Sequence, residues 1–200
     1  TVNKVLDHSV ENLNYKFKFN KPIYPQLPVI PLGIDKDEFN FSENFKNKTR
    51  NDLGINENDI VLVYVGRLSF HAKAHHLPMY LALEACSKSL KKDQKIHLIQ
   101  TGWFANDFVR DTFVNEANSV CPSVKMHFLD GKDQSNKYAS LAAGDIFISL
   151  SDNIQETFGI TPLEGMASSL PVIVSDWDGY KSTVRDEIDG FRIKSSMLPA

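Results

Sequence analysis

Cysteine is scarce in this 200-residue chain, which contains only Cys86 and Cys121. The two have no metal-like spacing, so neither a zinc site nor a disulfide framework is predicted, and a reducing cytoplasm is the natural setting. The sequence also lacks a run of about 18 apolar residues, so no transmembrane helix is predicted. Its formal net charge of −3 gives no argument for a nucleic-acid partner or for a polybasic membrane contact.

Cofactor motifs are missing as well. There is no G-x-G-x-x-G and no G-x-x-x-x-G-K-[ST], so neither a nicotinamide cofactor nor P-loop chemistry is predicted. Some acids and histidines are spaced as metal ligands can be, namely Asp35 with Asp37, Asp176 with Asp178, and His71, His75 and His76. No cysteine or closely spaced acid completes the histidine set. We therefore predict no metal and no cofactor.

What the sequence does contain is a regular alternation of strand and helix patterns. Apolar runs predict strands at Ile60–Val65, Ile96–Ile99, Val124–Leu129, Asp145–Leu150, Pro171–Ser175 and Phe191–Ile193. One predicted helix precedes the strands and runs from its cap Ser42 to Gly54. The others separate the strands and lie at Pro78–Leu90, at Asp107–Ala117 after the cap Asn106, at Ser135–Ala143 and at Tyr180–Arg185. This alternation predicts an α/β domain with a doubly wound, Rossmann-like parallel sheet. Loops that follow such strands share one rim, where ligands bind.

The first part of the chain has a different pattern. Apolar residues between Val2 and Leu13 recur at helical spacing, and Tyr15–Phe19 alternates like an extended strand. Prolines then follow every third residue, at 22, 25, 28 and 31. That period suits a polyproline II ligand, but a crossover between two domains is favoured. We predict that residues 1–28 are a residual interdomain segment with this crossover, and that 29–200 form the α/β domain.

The segment around which the domain is organised is Glu156–Glu164, read E-T-F-G-I-T-P-L-E. It follows a strand and a polar turn, and we expect a helix to start near Phe158. A helix start attracts anions through its free N–H groups and its dipole. Carboxylates beside it are better suited to hydroxyl groups than to phosphate, because they accept hydrogen bonds. A phosphate flanked by hydroxyls is the pattern of a sugar nucleotide. The alternative is that both glutamates are solvated helix residues.

The loop after the first strand carries two cations. Arg67 can bind phosphate with a bidentate contact, Lys73 can add a compact charge, and Gly66 leaves room for close backbone approach. The alternative is that both are solvated loop residues.

Three ordered motifs carry a resemblance to a known family: P-L-G-I-D at 31–35, V-Y-V-G-R-L at 63–68, and the two glutamates eight positions apart followed by G-M-A. Together they resemble the retaining glycosyltransferases of family four (glycosyl transferases group 1), of the GT-B class. The resemblance covers roughly residues 29–193. It implies one lobe of a GT-B enzyme, the C-terminal nucleotide-sugar-binding domain. Lys73 stands one residue farther from Arg67 than the family pattern has it, and Ser169 replaces a usual glycine.

The resemblance also implies roles for individual residues. Glu156, Arg67 and Lys73 would be the catalytic residues, with Glu156 on the donor sugar and the two cations on the leaving diphosphate. Glu164 would bind the ribose. The remaining donor-binding positions would be Gly66, Phe158, Gly159, Ile160 and Thr161, and the nucleobase would lie against Leu129, Asp130 and Gly131. Trp103 either lines the pocket or belongs to the core.

From this we expect the donor-binding half of an enzyme that transfers a sugar from a UDP- or GDP-type nucleotide sugar to a sugar, lipid or polysaccharide acceptor. The nucleotide sugar is a substrate rather than a cofactor. We expect the chain to be truncated at its C-terminal end and to lack the N-terminal lobe that binds the acceptor. We expect a cytoplasmic location, and association with the inner face of the membrane is an open alternative. A sugar-nucleotide epimerase-like enzyme and a non-catalytic sugar-nucleotide-binding domain are the alternatives.

Overall fold

The computed structural model describes residues 2–18, 26–28, 30–153 and 156–195, without the side chain of Val2. The chain divides into two compact units, Thr1–Gly33 and Ile34–Ala200. The predicted boundary at residue 28, and the assignment of the first segment to another lobe, stay predictions.

The first unit contains helix α1, Val2–Phe17. The predicted strand at Tyr15–Phe19 is therefore wrong as far as Phe17. The helical hydrogen bonds continue to the end of this segment, where the Lys18 N–H donates to the Asn14 carbonyl at 2.8 Å. A short alternation of polar and apolar residues does not outweigh the helical spacing of the residues before it. Phe19 and the prolines at 22 and 25 lie outside the described residues.

The second unit is built on a six-stranded sheet with the order β3-β2-β1-β4-β5-β6, in which every strand pairs in parallel. The strands are β1 Ile60–Val65, β2 Ile96–Gly102, β3 Lys125–Asp130, β4 Ile146–Ser149, β5 Val172–Ser175 and β6 Gly190–Ile193. The six predicted strands are all present, with β1 at its predicted bounds. The doubly wound α/β prediction is confirmed.

Helices connect the strands: α2 Glu43–Asp52, α3 Leu77–Ser87, α4 Asp107–Val120, α5 Gln134–Ala143, α6 Ile160–Ala167 and α7 Tyr180–Thr183, with a 3₁₀ turn at Lys36–Phe39 before them. Both predicted N-caps are confirmed. Ser42 accepts from the Phe45 N–H, and Asn106 from the Val109 N–H. Each side chain satisfies a donor that the helix itself leaves free. No helix in the described part of the chain is long and apolar enough to cross a membrane.

The hydrophobic core lies on both faces of the sheet. Val61, Val63 and Val65 of β1 pack into one cluster with α5, while Leu62 and Tyr64 pack into another with α3 and α4. Successive strand residues point to opposite faces, so a strand covered on both sides must be apolar throughout. This is why the sequence predicted β1 with its correct ends.

The strand order also predicts where a ligand would bind. The chain runs from β1 outward to β3, then returns to place β4 on the other side of β1. Connections on the two sides of this junction leave in opposite directions, so a crevice is expected beyond the carboxyl ends of β1 and β4.

Candidate functional site

Two loops meet at this crevice, one after β1 and one after β4. Ser151 donates to the Lys73 carbonyl at 2.9 Å, and the Asn153 side chain donates to the Ala72 carbonyl at 2.5 Å. Trp177, in the loop after β5, supports the same segment through its indole N–H on the Asn153 carbonyl at 3.1 Å. The loops that carry the predicted cations and the first glutamate are thus fastened together.

The neighbouring part of the rim is closely packed backbone. A Cβ at Gly102, at the end of β2, would fall onto the carbonyl oxygen of Gly66. Only glycine fits at 102, and the backbone of Gly66 is held against β2, where its N–H donates to the Thr101 carbonyl at 3.0 Å. The loop that begins at Gly66 therefore starts from a fixed position.

Lys73 and Glu156 form an ion pair across the crevice, and Ser151 also donates to Glu156 Oε2 at 3.3 Å. The side chains of Lys73 and Glu156 are only 17% and 11% exposed. Burial, with the charge of Arg67 adding to it, lowers the pKa of Lys73 below its ordinary value. The alternative of solvated residues is therefore wrong for this pair.

Arg67 differs from Lys73 in its surroundings. It is exposed on the rim, where its guanidinium donates to the Ala72 carbonyl at 3.3 Å. Tyr64 donates to the Arg67 carbonyl at 3.0 Å and so holds its backbone. Its planar donors face solvent beside the crevice, where an anion could recruit them.

Helix α6 begins at Ile160, two residues later than predicted. Gly159 is its N-cap and has a left-handed conformation with φ 73°, and a Cβ there would meet the Tyr180 ring. Because glycine has no side chain, the first turn of α6 has no cap of the kind that Ser42 and Asn106 provide. Its N–H groups stay available to an anion. Phe158 therefore precedes the helix, whereas Glu156 lies ahead of it and Glu164 inside it, as the predicted helix start implies.

Glu164 lies in α6 and is buried. Its Oε1 accepts from Lys137 Nζ at 2.9 Å, and its side chain is 9% exposed. Within the described residues its Oε2 has no hydrogen-bond partner, and neither has the buried hydroxyl of Thr161 three positions earlier. Residues at this spacing are neighbours on one helix face. The solvated-helix alternative is wrong for Glu164 too.

The segment Leu129–Gly131 ends β3 at the same rim. The Gly131 N–H already donates to the Gly102 carbonyl at 2.8 Å, and the Asp130 carbonyl accepts from Asn136 at 3.0 Å. A cleft of about 440 Å³ opens beside the segment, and Trp103, 44% exposed, lines it. A role of this segment in nucleobase binding stays a prediction.

A metal centre has little support. Among the described residues, no group of three His, Cys, Asp or Glu side chains is placed to hold a metal ion. Of the three loop histidines, His76 is buried against the Phe113 ring, with Nε2 2.7 Å from Glu116 Oε2. That the site works without metal stays a prediction.

Sequence reasoning missed the residues that organise the site. Ser151 and Asn153 fasten the two loops, and Lys137 of α5 pairs with Glu164 of α6. Their partners lie 78, 81 and 27 residues away in the chain. The only signal was the position of Ser151 and Asn153 directly after a buried strand.

Comparison with known proteins bears on the family. Residues 45–198 match the family described as glycosyl transferases group 1. An uncharacterized glycosyltransferase of Methanocaldococcus jannaschii is 26% identical over 192 residues, covering 95% of this chain and 45% of that protein. The UDP-Gal:α-D-GlcNAc-diphosphoundecaprenol α-1,3-galactosyltransferase of Escherichia coli is 27% identical over 172 residues, covering 84% and 41%. The chain therefore spans less than half the length of these relatives.

Solved structures agree with the fold. A glycosyltransferase from Rickettsia africae superposes with a TM-score of 0.65 at 21% identity, covering 94% of this chain and 47% of that one. HepE of Anabaena, in complex with UDP and glucose, gives a TM-score of 0.64 at 20% identity, covering 81% and 41%. At these identities the likeness concerns the fold alone.

Proposed function

The chain belongs to the glycosyl transferases group 1 family, and from that premise we propose that it is the donor-binding half of a retaining glycosyltransferase. In this proposal the enzyme transfers a sugar from a UDP- or GDP-type nucleotide sugar to a sugar, lipid or polysaccharide acceptor. Because the chain spans less than half of its relatives, the acceptor site is assigned to a separate N-terminal lobe.

The observation that carries the proposal is the half-paired carboxylate of Glu164. An ionised carboxylate can only accept hydrogen bonds, so a ligand that completes it must bring O–H or N–H donors. A buried polar atom without a partner costs about 1–3 kcal/mol, which a ligand would recover. A ribose offers two adjacent hydroxyls. We therefore assign the ribose of the donor to Glu164.

The diphosphate is assigned to the uncapped start of α6, with Arg67 and Lys73 as its cationic partners. The first-turn N–H groups and the helix dipole favour an anion there. Support also comes from HepE, whose structure contains UDP and glucose. Two cations beside the leaving group stabilise the negative charge that develops as the glycosidic bond to phosphate breaks. No metal is needed for this in the proposed mechanism.

Glu156 is assigned to the hydroxyls of the transferred sugar. Its carboxylate is held at the crevice by Lys73 and Ser151, so it is oriented before the donor arrives. Such preorganised contacts accelerate a reaction when they strengthen in the transition state.

Calorimetry with UDP, GDP and ADP tests the proposal. We expect the 200-residue chain to bind a nucleoside diphosphate with an affinity in the high micromolar to millimolar range, roughly −4 to −6 kcal/mol, and to transfer no sugar by itself. Excess chelator should leave the affinity for the nucleoside diphosphate unchanged.

Glu164→Ala should weaken nucleoside diphosphate binding about tenfold or more, because hydrogen bonds to a charged group are worth about 1.5–3 kcal/mol. Glu156→Ala should barely change it.

Each part of the proposal has its own contradicting result. Absence of nucleoside diphosphate binding in the wild-type chain would exclude the donor-binding function. Equal losses in the two glutamate variants would show that the carboxylates do not contact separate parts of the donor. A loss of affinity in the presence of chelator would instead indicate a metal site at the acidic pair that contains Asp35 or the one that contains Asp176.

A further inference from the structure

We propose that Lys137 is a positioning residue for the donor ribose, acting through Glu164. The proposal rests on the donor-binding function above and deepens it. Lys137 lies on α5 and was assigned no role by sequence motif. It would hold one oxygen of the Glu164 carboxylate so that the other accepts from the ribose hydroxyls.

The first support is the geometry of the pair. Lys137 Nζ donates to Glu164 Oε1 at 2.9 Å and thereby links α5 to α6, with the side chains 22% and 9% exposed. A carboxylate held by one oxygen cannot rotate freely, so the direction of its second oxygen is set. In the part of the chain that the structure describes, that second oxygen is buried and unpartnered. One oxygen of the Glu164 carboxylate is therefore paired with Lys137, and the other is available to a ligand.

The second support is that Lys137 is itself held. Its ammonium lies 5.6 Å from the centroid of the Phe39 ring and 5.5 Å from that of Tyr138, within the range of a cation–π interaction. Tyr138 is in turn fixed by its hydroxyl, which donates to Glu38 Oε2 at 2.9 Å. A long flexible side chain is thus restrained before any ligand binds, which lowers the entropic cost of using it.

The third support is electrostatic. A bare buried carboxylate near a diphosphate would repel it, and a buried charge without a partner is costly. Lys137 neutralises Glu164 while leaving its acceptor oxygen open.

The test compares a nucleoside diphosphate with its 2′,3′-dideoxy counterpart in the full-length protein. The pair is UDP with 2′,3′-dideoxy-UDP, or the GDP pair if GDP binds more tightly. The measured quantity is the ratio of the two dissociation constants. Partial unfolding of a variant raises both apparent constants by the same factor, so the ratio reports on ribose recognition even in a destabilised variant.

The wild-type protein should prefer the ribose form about tenfold or more, which is roughly 1.4 kcal/mol. Lys137→Met keeps the length of the side chain but removes its charge, and should reduce the ratio to about threefold or less. Glu164→Gln should lose the preference as well, and the double variant should lose no more than Glu164→Gln alone, since both residues act on one contact. Lys137→Arg should retain most of the preference. The exposed Lys48 of α2 gives a matched control, and Lys48→Met should leave the ratio unchanged.

A wild-type ratio in Lys137→Met, whatever its overall affinity, would overturn the inference and leave the donor-binding function intact. A wild-type protein that binds both nucleotides equally would also overturn it, because Glu164 would then not recognise the ribose. Failure of the wild-type protein to bind any nucleoside diphosphate would instead reject the proposed function itself.

Discussion

The two ends of the sheet each contain a cluster of ionisable groups that are partly or fully buried, and the clusters differ in how completely they are paired. We call the rim cluster Lys73, Glu156, Lys137 and Glu164, and the basal cluster Arg50, Asp59, His97, His127 and Asp145. The basal cluster lies where β1, β2 and β4 begin. Within the described chain it contains no buried side-chain atom without a partner, whereas the rim cluster has the open oxygen of Glu164.

The side chains of the basal cluster form hydrogen bonds with one another and with the neighbouring backbone. Arg50 donates to the carbonyls of Ala143, Asn56 and Asp59 at 3.1, 3.1 and 2.7 Å, and reaches both oxygens of Asp145 at 3.2 Å. Asp59 accepts from the backbone N–H groups of Asn56 and Lys95, both at 2.9 Å. A network without open positions has nothing to offer a ligand. The difference teaches that buried ionisable groups alone do not indicate a binding site, and that an acceptor oxygen without a partner is what distinguishes the rim cluster from the basal cluster.

Removing Arg50 should give the largest effect on stability. Arg50→Met removes the donor of three carbonyls and one partner of Asp145, which keeps the Val61 N–H. Because a buried acceptor left unpaired costs about 1–3 kcal/mol, we expect a loss of about 3 kcal/mol or more. Urea unfolding measures it. Lys46→Met is the matched control, because Lys46 is a third exposed and lies 3.9 Å from Asp145, so about 0–1 kcal/mol is expected. A loss below 1 kcal/mol for Arg50→Met would mean that the basal cluster is not a structural centre.

In the rim cluster, substitution of the glutamates should change the kinetics of sugar transfer. Glu156→Ala in the full-length enzyme should lower kcat by about 10²-fold or more, the size expected when a transition-state contact is lost. Glu164→Ala should act mainly through the KM of the donor. Steady-state kinetics with the donor varied separates the two. Unchanged kcat in Glu156→Ala would remove this residue from the chemistry.

The basal cluster should make stability depend on pH. Burial lowers the pKa of His97, with Asp59 opposing the shift, and burial followed by the charge of His97 lowers the pKa of His127. The folded protein therefore keeps both neutral where the unfolded chain, with a histidine pKa of about 6.5, binds protons. Since the unfolded state then binds more protons, stability should be full above pH 6.5 and fall as the pH drops below it.

Urea midpoints between pH 7.5 and 5.5 test this dependence. His127→Gln should flatten the decline, while the exposed His8 of α1 gives a control that should leave it unchanged. His76 also has a pKa lowered by burial, against the opposing charge of Glu116, so part of the decline should remain. A full decline in His127→Gln would show that His127 does not contribute.

The smallest effect is expected at Ser169, which belongs to neither cluster. It has φ 62° in the turn after α6, a left-handed conformation that suits glycine. Ser169→Gly should relieve this strain and raise the free energy of unfolding, although the added flexibility of the unfolded chain offsets part of the gain. We expect a net gain of about 0.5–1 kcal/mol, with nucleotide affinity unchanged. A measured destabilisation would show that the turn is not strained.

The parts of the fold that were predictable are those with local causes. The strand β1 was assigned to its ends because burial on both faces requires a continuous apolar run, and Ser42 and Asn106 act on the helices that follow them. The start of α6 was placed two residues early because Gly159 has a left-handed conformation and packs against the Tyr180 ring, a contact with a residue distant in sequence. Lys137 was missed for the same reason, since no local pattern marks a lysine whose partner lies on another helix.

The pairing of β1 with β4 has a consequence for how the protein folds. Strands β1, β2 and β3 follow one another along the chain, but the contact between Val61 and Asp145 that joins β1 to the β4 side spans 84 residues. Contacts of such long range carry a loop-closure cost before they contribute stability, and they slow folding. The crevice between these two strands should therefore be among the last features to form, so that a ligand of the proposed kind, added during refolding, can stabilise only the finished domain.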